Sequence, residues 1–287
     1  IPQIAKTAGK VTVFQRTPNW VIPRMDRAIT LEEKMLMMTD PELAVRLGET
    51  NRQLIWEQAD KYFWQAFKWT EAGRAAYDRI ARNHLEEQVQ DAELRAKLTP
   101  DYPVGCKRIL ISDDYYPALQ RDNVELETGK IGRIKPNGVE MRDGDLHECD
   151  ILVFATGFET TGWNWSVDVV GSHGVHLNDA WSQAPQAYKG VTVNGFPNFF
   201  VLYGPNTNLG HNSIIYMLER QVEYAVKVTQ AMAEANYQAF EPTKAAQESF
   251  NADLQKRLAQ TVWADPTCSS WYKNEDGMIT QNWCGST

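Results

Sequence analysis

VTVFQRTP, residues 11–18, is the stretch that decides the fold. Val11–Gln15, rich in β-branched and aromatic side chains, reads as a short buried strand, and Arg16-Thr17-Pro18 ends it. In a fold that binds dinucleotides, the second strand ends beside the adenosine ribose. An acidic residue there selects NAD, whereas an arginine accommodates the 2′-phosphate of NADP. Arg16 offers a planar fork that can grip phosphate through two parallel hydrogen bonds, and Thr17 adds a hydroxyl. The same residues also fit an ordinary solvated arginine after a strand.

Upstream, IPQIAKTAGK places Ile1, Ile4 and Ala5 on one helical face, with Gly9 at a C-cap position. A domain rarely opens on the last turns of a helix that leads into a central strand. The expectation is therefore that the chain belongs to a longer polypeptide, the alternative being a short N-terminal helix of its own. Downstream, Arg24–Thr99 carries no strand signal. Its apolar residues Leu31, Met35, Met38, Leu43, Leu47, Leu54, Ile55, Phe63, Phe67 and Ile80 recur at helical spacing and predict an all-helical insert. Strands return at Lys107–Ile111, Val124–Glu127, Ile131–Lys135 and Val139–Arg142, with turns at Pro136-Asn137-Gly138 and Asp143-Gly144. Two apolar runs, Asp150–Gly157 and Asn198–Gly204, read as further buried strands closed by glycine. A long helix over Ser213–Ala235 comes next, with Ile214, Leu218, Val222, Ala225, Val226 and Met232 along one face. Strands ending in glycine turns with helices between them predict an open α/β sheet with ligands at the strand carboxyl ends. The loop Thr160–Ala187, with Trp163, Trp165 and Trp181, is long enough to expect a functional role.

The 287 residues include 29 Lys and Arg against 37 Asp and Glu, a formal charge of −8 that disfavours a general nucleic-acid binder. No apolar run approaches the roughly 18–20 residues that span a bilayer. Ten Trp, 11 Tyr and 10 Phe predict extensive burial and room for a flat ligand. Cys106, Cys149, Cys268 and Cys284 form no CxxC pair, which argues against a zinc ribbon or thioredoxin-type site, and with no signal-peptide pattern they read as reduced thiols in a cytoplasmic chain. No metal-ligand spacing is present: His147, His173 and His176 read as surface or turn residues, and Asp113-Asp114 as the start of a turn. None of the 18 glycines has another two positions later, so G-x-G-x-x-G is absent.

Two further constellations carry chemistry. In YPVGCKRI (102–109), Lys107 and Arg108 are neighbours in an extended segment, so each can reach a different ligand; as bare residues, two basic neighbours more often mark a surface than a site. YGPNTNLGHNS (203–213) joins an apolar run to the long helix, with Asn212 as its expected N-cap. The free N–H groups and partial positive charge of a helix start favour an anionic ligand, including the pyrimidine ring of a reduced flavin. Ordinary strand–turn–helix packing explains the same string.

Taken together, VTVFQRTPNWVIPR, GCKRILISDDYYPALQRDNVEL, CDILVFATGFETT, LYGPNTNLGHNSIIYMLERQ and CSSWYKNEDG resemble, in family order, the C-terminal half to three-fifths of Baeyer–Villiger monooxygenases. The family's two Gly-rich dinucleotide loops and its F-x-G-x-x-x-H fingerprint have no counterpart here. The resemblance implies an incomplete α/β, Rossmann-like architecture with two dinucleotide-binding domains and an all-helical insert. Residues 1–23 and 106–149 would form a partial NADPH domain, 24–105 the insert, and 150–287 the C-terminal part of the FAD domain. It implies FAD and NADPH as cofactors, O₂ and a ketone as substrates, and an ester or lactone formed through a C4a-peroxyflavin. Arg108 is then the catalytic cation, facing the flavin pocket. Arg16, Thr17 and Lys107 bind the NADPH 2′-phosphate, Gly157, Asn206, Asn208 and Asn212 lie at the cofactor, and Trp271 lies near the substrate. A flavin-containing N- or S-oxygenating monooxygenase and an inactive remnant remain alternatives.

Overall fold

The computed structural model describes residues 1–24, 26–68, 71–157 and 167–287. Two compact units are present. The first comprises Ile1–Arg27, Ala76–Pro103 and Lys107–Phe158; the second comprises Ala28–Ala75, Val104–Cys106 and Glu159–Thr287.

In the first unit, β1 (Val11–Phe14) pairs in parallel with β4 (Val124–Glu127), Val11 opposite Val124 and Phe14 opposite Glu127. A second parallel pair joins β2 (Val21–Ile22) to β3 (Leu110–Ile111). Parallel neighbours need long crossovers, which helices supply. Further along lies an antiparallel sheet: β5 (Ile131–Lys135), β6 (Gly138–Met141) and β7 (Leu146–Glu148). Gly144, at φ +103°, makes the turn from β6 to β7, a backbone state that other residues rarely adopt. The core is Val21, Leu85, Val89, Leu98, Tyr116 and Leu119. These come from β2, from α3 (Glu71–Gln88, which enters this unit at Ala76), from α4 (Ala92–Leu98) and from α5 (Tyr115–Leu119), Val89 lying just past α3. Each such aliphatic side chain contributes about 1.5–3 kcal/mol when removed from water.

The second unit contains α1 (Leu31–Thr39), α2 (Pro41–Lys61), α6 (Leu177–Ala180), α7 (Ile214–Glu234) and α8 (Lys244–Leu258). One cluster packs Leu177, Trp181, Ala187, Val193, Phe196 and Val201. Another groups Trp64, Phe67 and Tyr272 around Trp263, with ring centroids 5.9, 5.4 and 5.9 Å from it. The Trp263 indole donates to the Gly105 carbonyl at 3.0 Å, so the one polar atom of this buried ring is satisfied.

Several expectations change. The opening helix is a 3₁₀ turn at Ile4–Lys6 that buries Ala5 and leaves Ile1 and Ile4 exposed. Asp150–Gly157 forms no strand: Ile151 is 81% exposed, because no strand among the described residues pairs with it. Asn198–Gly204 makes a single bridge, Phe200 to Thr192, and only Val201 of its apolar residues is fully buried. The helical stretch 24–105 is no unit of its own, since the boundary between units falls inside α3. Cys106 and Cys268 are not reduced thiols but a disulfide. They lie 162 positions apart in sequence, yet their Cα atoms are 5.4 Å apart, within the reach of an S–S bond. Cys149 is free and exposed, and Cys284 free and buried. Among the described residues no helix is long and apolar enough to cross a membrane. The first part of the Thr160–Ala187 loop, with Trp163 and Trp165, lies outside the described residues.

Candidate functional site

β1 and β4 end side by side, and the residues just beyond them line a cleft of about 310 Å³. Gln15, Arg16, Thr17 and Pro18 come after β1, Thr128 comes after β4, and Ala96, Lys97, Thr99 and Asp101 supply the facing wall from the end of α4. Ligands of open α/β sheets bind at such strand carboxyl ends. The turn is tied down on both sides. Gln15 donates through its backbone N–H to Glu127 at 2.8 Å and through its side-chain amide to the Lys97 carbonyl at 3.0 Å. Beyond it, the Tyr102 hydroxyl donates to the Pro18 carbonyl at 2.8 Å.

The electrostatics of this cleft are unbalanced. Lys97 pairs with Glu93 at 2.8 Å. Among the described residues, neither Arg16 nor Lys107 has an ion-pair partner. Burial and the neighbouring Arg16 charge both push the Lys107 ammonium below the usual lysine range, and Asp101 only partly restores it. Arg16 lines the cleft and Lys107 does not, but the two charges repel one another, and an anion between them would relieve that repulsion.

The other expected residues divide between exposed and self-satisfied positions. Lys107 is half-buried, and Arg108 beside it is exposed. Arg108 lines neither the cleft above nor a smaller one of about 200 Å³ between Arg82 and Arg95. Gly157 has φ +92° and nothing within 4 Å of where a Cβ would stand. Asn206 is buried and donates to the carbonyls of Ile279 and Asn282 at 2.7 and 3.2 Å. The Asn208 amide donates to the Asn282 side chain at 2.5 Å, and its oxygen accepts from the Tyr203 hydroxyl at 2.8 Å. These amides hold the loop's own shape. Asn212 is not the N-cap of α7: Ser213 is, its hydroxyl caps nothing, and Asn212 Oδ1 accepts from the Ser213 N–H at 2.8 Å. The first turn of α7 therefore has no side-chain cap. Trp271 is 45% exposed, its ring 4.5 Å from that of Tyr272.

Sequence reasoning missed Lys97, Asp101 and Thr128 at the cleft. Thr128 carries a usable signal, as the first residue after a strand parallel to β1, but only once that pairing is known. It also missed Asp60, whose carboxylate accepts from His211 Nε2 at 3.2 Å, Asn212 Nδ2 at 2.6 Å and the Thr287 N–H at 2.8 Å. His147 lies not in a turn but on β7, edge-on to Phe14 with ring centroids 5.4 Å apart. No group of metal-ligating side chains occurs among the described residues.

No protein-family model matches the chain. Its curated relatives include an FAD-binding monooxygenase, ktnD, of Aspergillus niger, 38% identical over 99% of this chain and 46% of its own length. Proteins named Baeyer–Villiger monooxygenase from Streptomyces coelicolor and Pseudomonas aeruginosa are each 38% identical. They cover 100% and 95% of this chain, and 54% and 51% of their own lengths. The chain thus spans about half the length of these relatives. Among solved structures, a cyclohexanone monooxygenase from Rhodococcus sp. Phi1 bound to NADP⁺ superposes with a TM-score of 0.75. It is 27% identical, over 99% of this chain and 58% of its own. OTEMO in complex with FAD and NADP, 24% identical over 100% of this chain and 59% of its own, shares the fold with a TM-score of 0.78.

Proposed function

We propose that this chain, which matches the C-terminal portion of the Baeyer–Villiger monooxygenase family along its whole length, grips NADPH by its 2′-phosphate and sets a fixed cation beside FAD in a ketone-oxidising enzyme. The observation that carries the reading is the cleft beyond β1 and β4, lined by Arg16 and Thr17, with Lys107 outside its lining but within electrostatic reach of Arg16, and with neither cation in an ion pair among the described residues. A phosphate there would take two parallel hydrogen bonds from Arg16, one from the Thr17 hydroxyl and the charge of Lys107. That arrangement separates NADPH from NADH.

FAD and NADPH, when bound, supply oxygen activation and hydride, and the ketone gains one oxygen atom to become an ester or lactone. The chain's part is electrostatic. Arg108 is a permanent charge that cannot give its proton away and so cannot quench a neighbouring anion. The reading requires bound flavin to cover this exposed side chain. The uncapped first turn of α7 offers N–H groups and a positive dipole end that suit a reduced flavin ring. Asn206 and Asn208 act by fixing the loop that leads to it. Trp271, partly exposed, is the aromatic offered to the substrate. A cytoplasmic location belongs to this reading on the strength of the NADPH requirement, since the Cys106–Cys268 bond withdraws the argument from reduced thiols.

The test uses a protein that carries this chain and binds both cofactors. Arg16→Ala should raise KM for NADPH about 10- to 100-fold, the worth of a charge-assisted pair, and leave KM for NADH little changed. Arg108→Ala should abolish ester formation while NADPH still bleaches the flavin. Ester formation at near wild-type rate would end the role given to Arg108.

A further inference from the structure

The unbalanced charge at Arg16 and Lys107 raises a question that the proposed phosphate site leaves open: what holds a flexible lysine beside a like charge before any phosphate arrives. Three contacts of one residue answer it. The Lys107 ammonium stands 4.6 Å from the centroid of the Tyr102 ring. The Tyr102 hydroxyl donates to the Pro18 carbonyl at 2.8 Å, at the end of the Arg16-Thr17-Pro18 turn. Its backbone carbonyl accepts from the Trp20 indole N–H, also at 2.8 Å. Tyr102 is itself buried, at 7% exposure, so it cannot swing away.

Resting on the proposed reading, we infer that Tyr102 is the positioning residue of the phosphate grip, its ring seating Lys107 while its hydroxyl fixes the turn that carries Arg16 and Thr17. One rigid side chain thus sets the distance between both arms of the clamp. The negative face of an aromatic ring attracts an ammonium without neutralising it, whereas a carboxylate in the same place would compete with the incoming phosphate. Asp101, the acidic group nearest in sequence, lines the cleft but forms no ion pair with Lys107. Burial and Arg16 both disfavour the lysine charge, so the ring contact offsets a cost that would otherwise drive the four-carbon stem toward water. Tyr102 touches no ligand in this scheme; it saves the ordering cost of Lys107 and of the turn.

The test measures binding of adenosine 2′,5′-bisphosphate and of adenosine 5′-monophosphate to the full chain by calorimetry. The ratio of the two dissociation constants isolates the 2′-phosphate. Tyr102→Phe, which keeps the ring but loses the hydroxyl tie to Pro18, should lose about two- to threefold of that preference, and Tyr102→Leu, which loses both, about five- to tenfold. Lys107→Ala added to Tyr102→Leu should then cost little more, because the two act through one another. Should Tyr102→Leu fail to fold, phenylalanines bearing one, two and three fluorines at position 102 keep the shape while draining the ring face. The preference should fall stepwise with fluorination, which a merely structural role would not produce. A preference that Lys107→Ala abolishes but Tyr102→Leu and fluorination leave intact overturns the role of Tyr102 and spares the phosphate site. No 2′-phosphate preference in the unaltered chain, unchanged by Arg16→Ala, overturns both.

Discussion

At the scale of single residues, sequence revealed where charges lie along the chain but not the company each group keeps. Arg16 and Thr17 could be placed just beyond a strand because the β-branched run of β1 marks its own end, whereas what they bind is a proposal. Asn206 and Asn208 were not legible, because an amide reads the same whether it faces a ligand or its own loop; only the carbonyls of Ile279 and Asn282 reveal the second. Asp60 carried no signal, since His211 lies 151 residues away. Its carboxylate gathers donors that would all be orphaned together, so Asp60→Ala should destabilise the fold by about 2–3 kcal/mol in chemical denaturation. His211 adds a pH dependence. Burial pushes its imidazole below the ordinary 6.5, and the pull of Asp60 does not make up the difference. The unfolded chain therefore binds more protons as pH falls below about 6.5, and stability must drop there while staying flat above. His176, raised by its hydrogen bond to Asp168, acts in the opposite sense, so the informative quantity is a difference between variants. His211→Asn should flatten the acid side of the denaturation midpoint between pH 7.5 and 5.5. An unchanged slope would mean that the buried ring is not kept neutral.

Elements held by local chemistry were legible, and elements held by distant partners were not. Val124–Glu127 and Ile131–Lys135 have the expected bounds, and β6 starts one residue early, because turn residues mark where each strand stops. Asp150–Gly157 has the composition of a strand but no ladder, since a strand is a property of a pair. α1 sits at the local extreme. It buries no residue, and its first turn is closed by a reciprocal box: Thr30 Oγ1 accepts from the Glu33 N–H at 3.2 Å, and Glu33 accepts from the Thr30 N–H at 2.8 Å. Thr30→Ala should cost this helix about 1 kcal/mol. The loss should appear as faster amide exchange across 31–39 with the global unfolding midpoint unmoved. A midpoint that falls in step would show α1 coupled to a core despite its exposure.

For the whole molecule, alternating strands and helices announced an α/β chain, and the parallel pairs β1–β4 and β2–β3 bear that out. The long-range covalent link did not announce itself, because four scattered cysteines allow several pairings and equally none. A bond across 162 positions, lying wholly within the second unit, removes much of the freedom of the unfolded chain. The entropic model assigns such closures about 2–5 kcal/mol, part of which native-state strain or residual structure takes back. Both sulfurs are buried, so a reductant reaches them only through opening, and the serine variants give the cleaner comparison. Alkylation of the denatured, unreduced chain should label two of the four cysteines, Cys149 and Cys284, and all four after reduction. Cys106→Ser with Cys268→Ser should lower Tm by about 5–15 °C, taking 2–4 °C per kcal/mol for a chain of this size. Four labels without reduction and an unmoved Tm would return the sulfurs to the thiol state. Noncovalent packing, chiefly the rings around Trp263 and the Trp263 hydrogen bond to Gly105, would then hold the Val104–Cys106 segment in place.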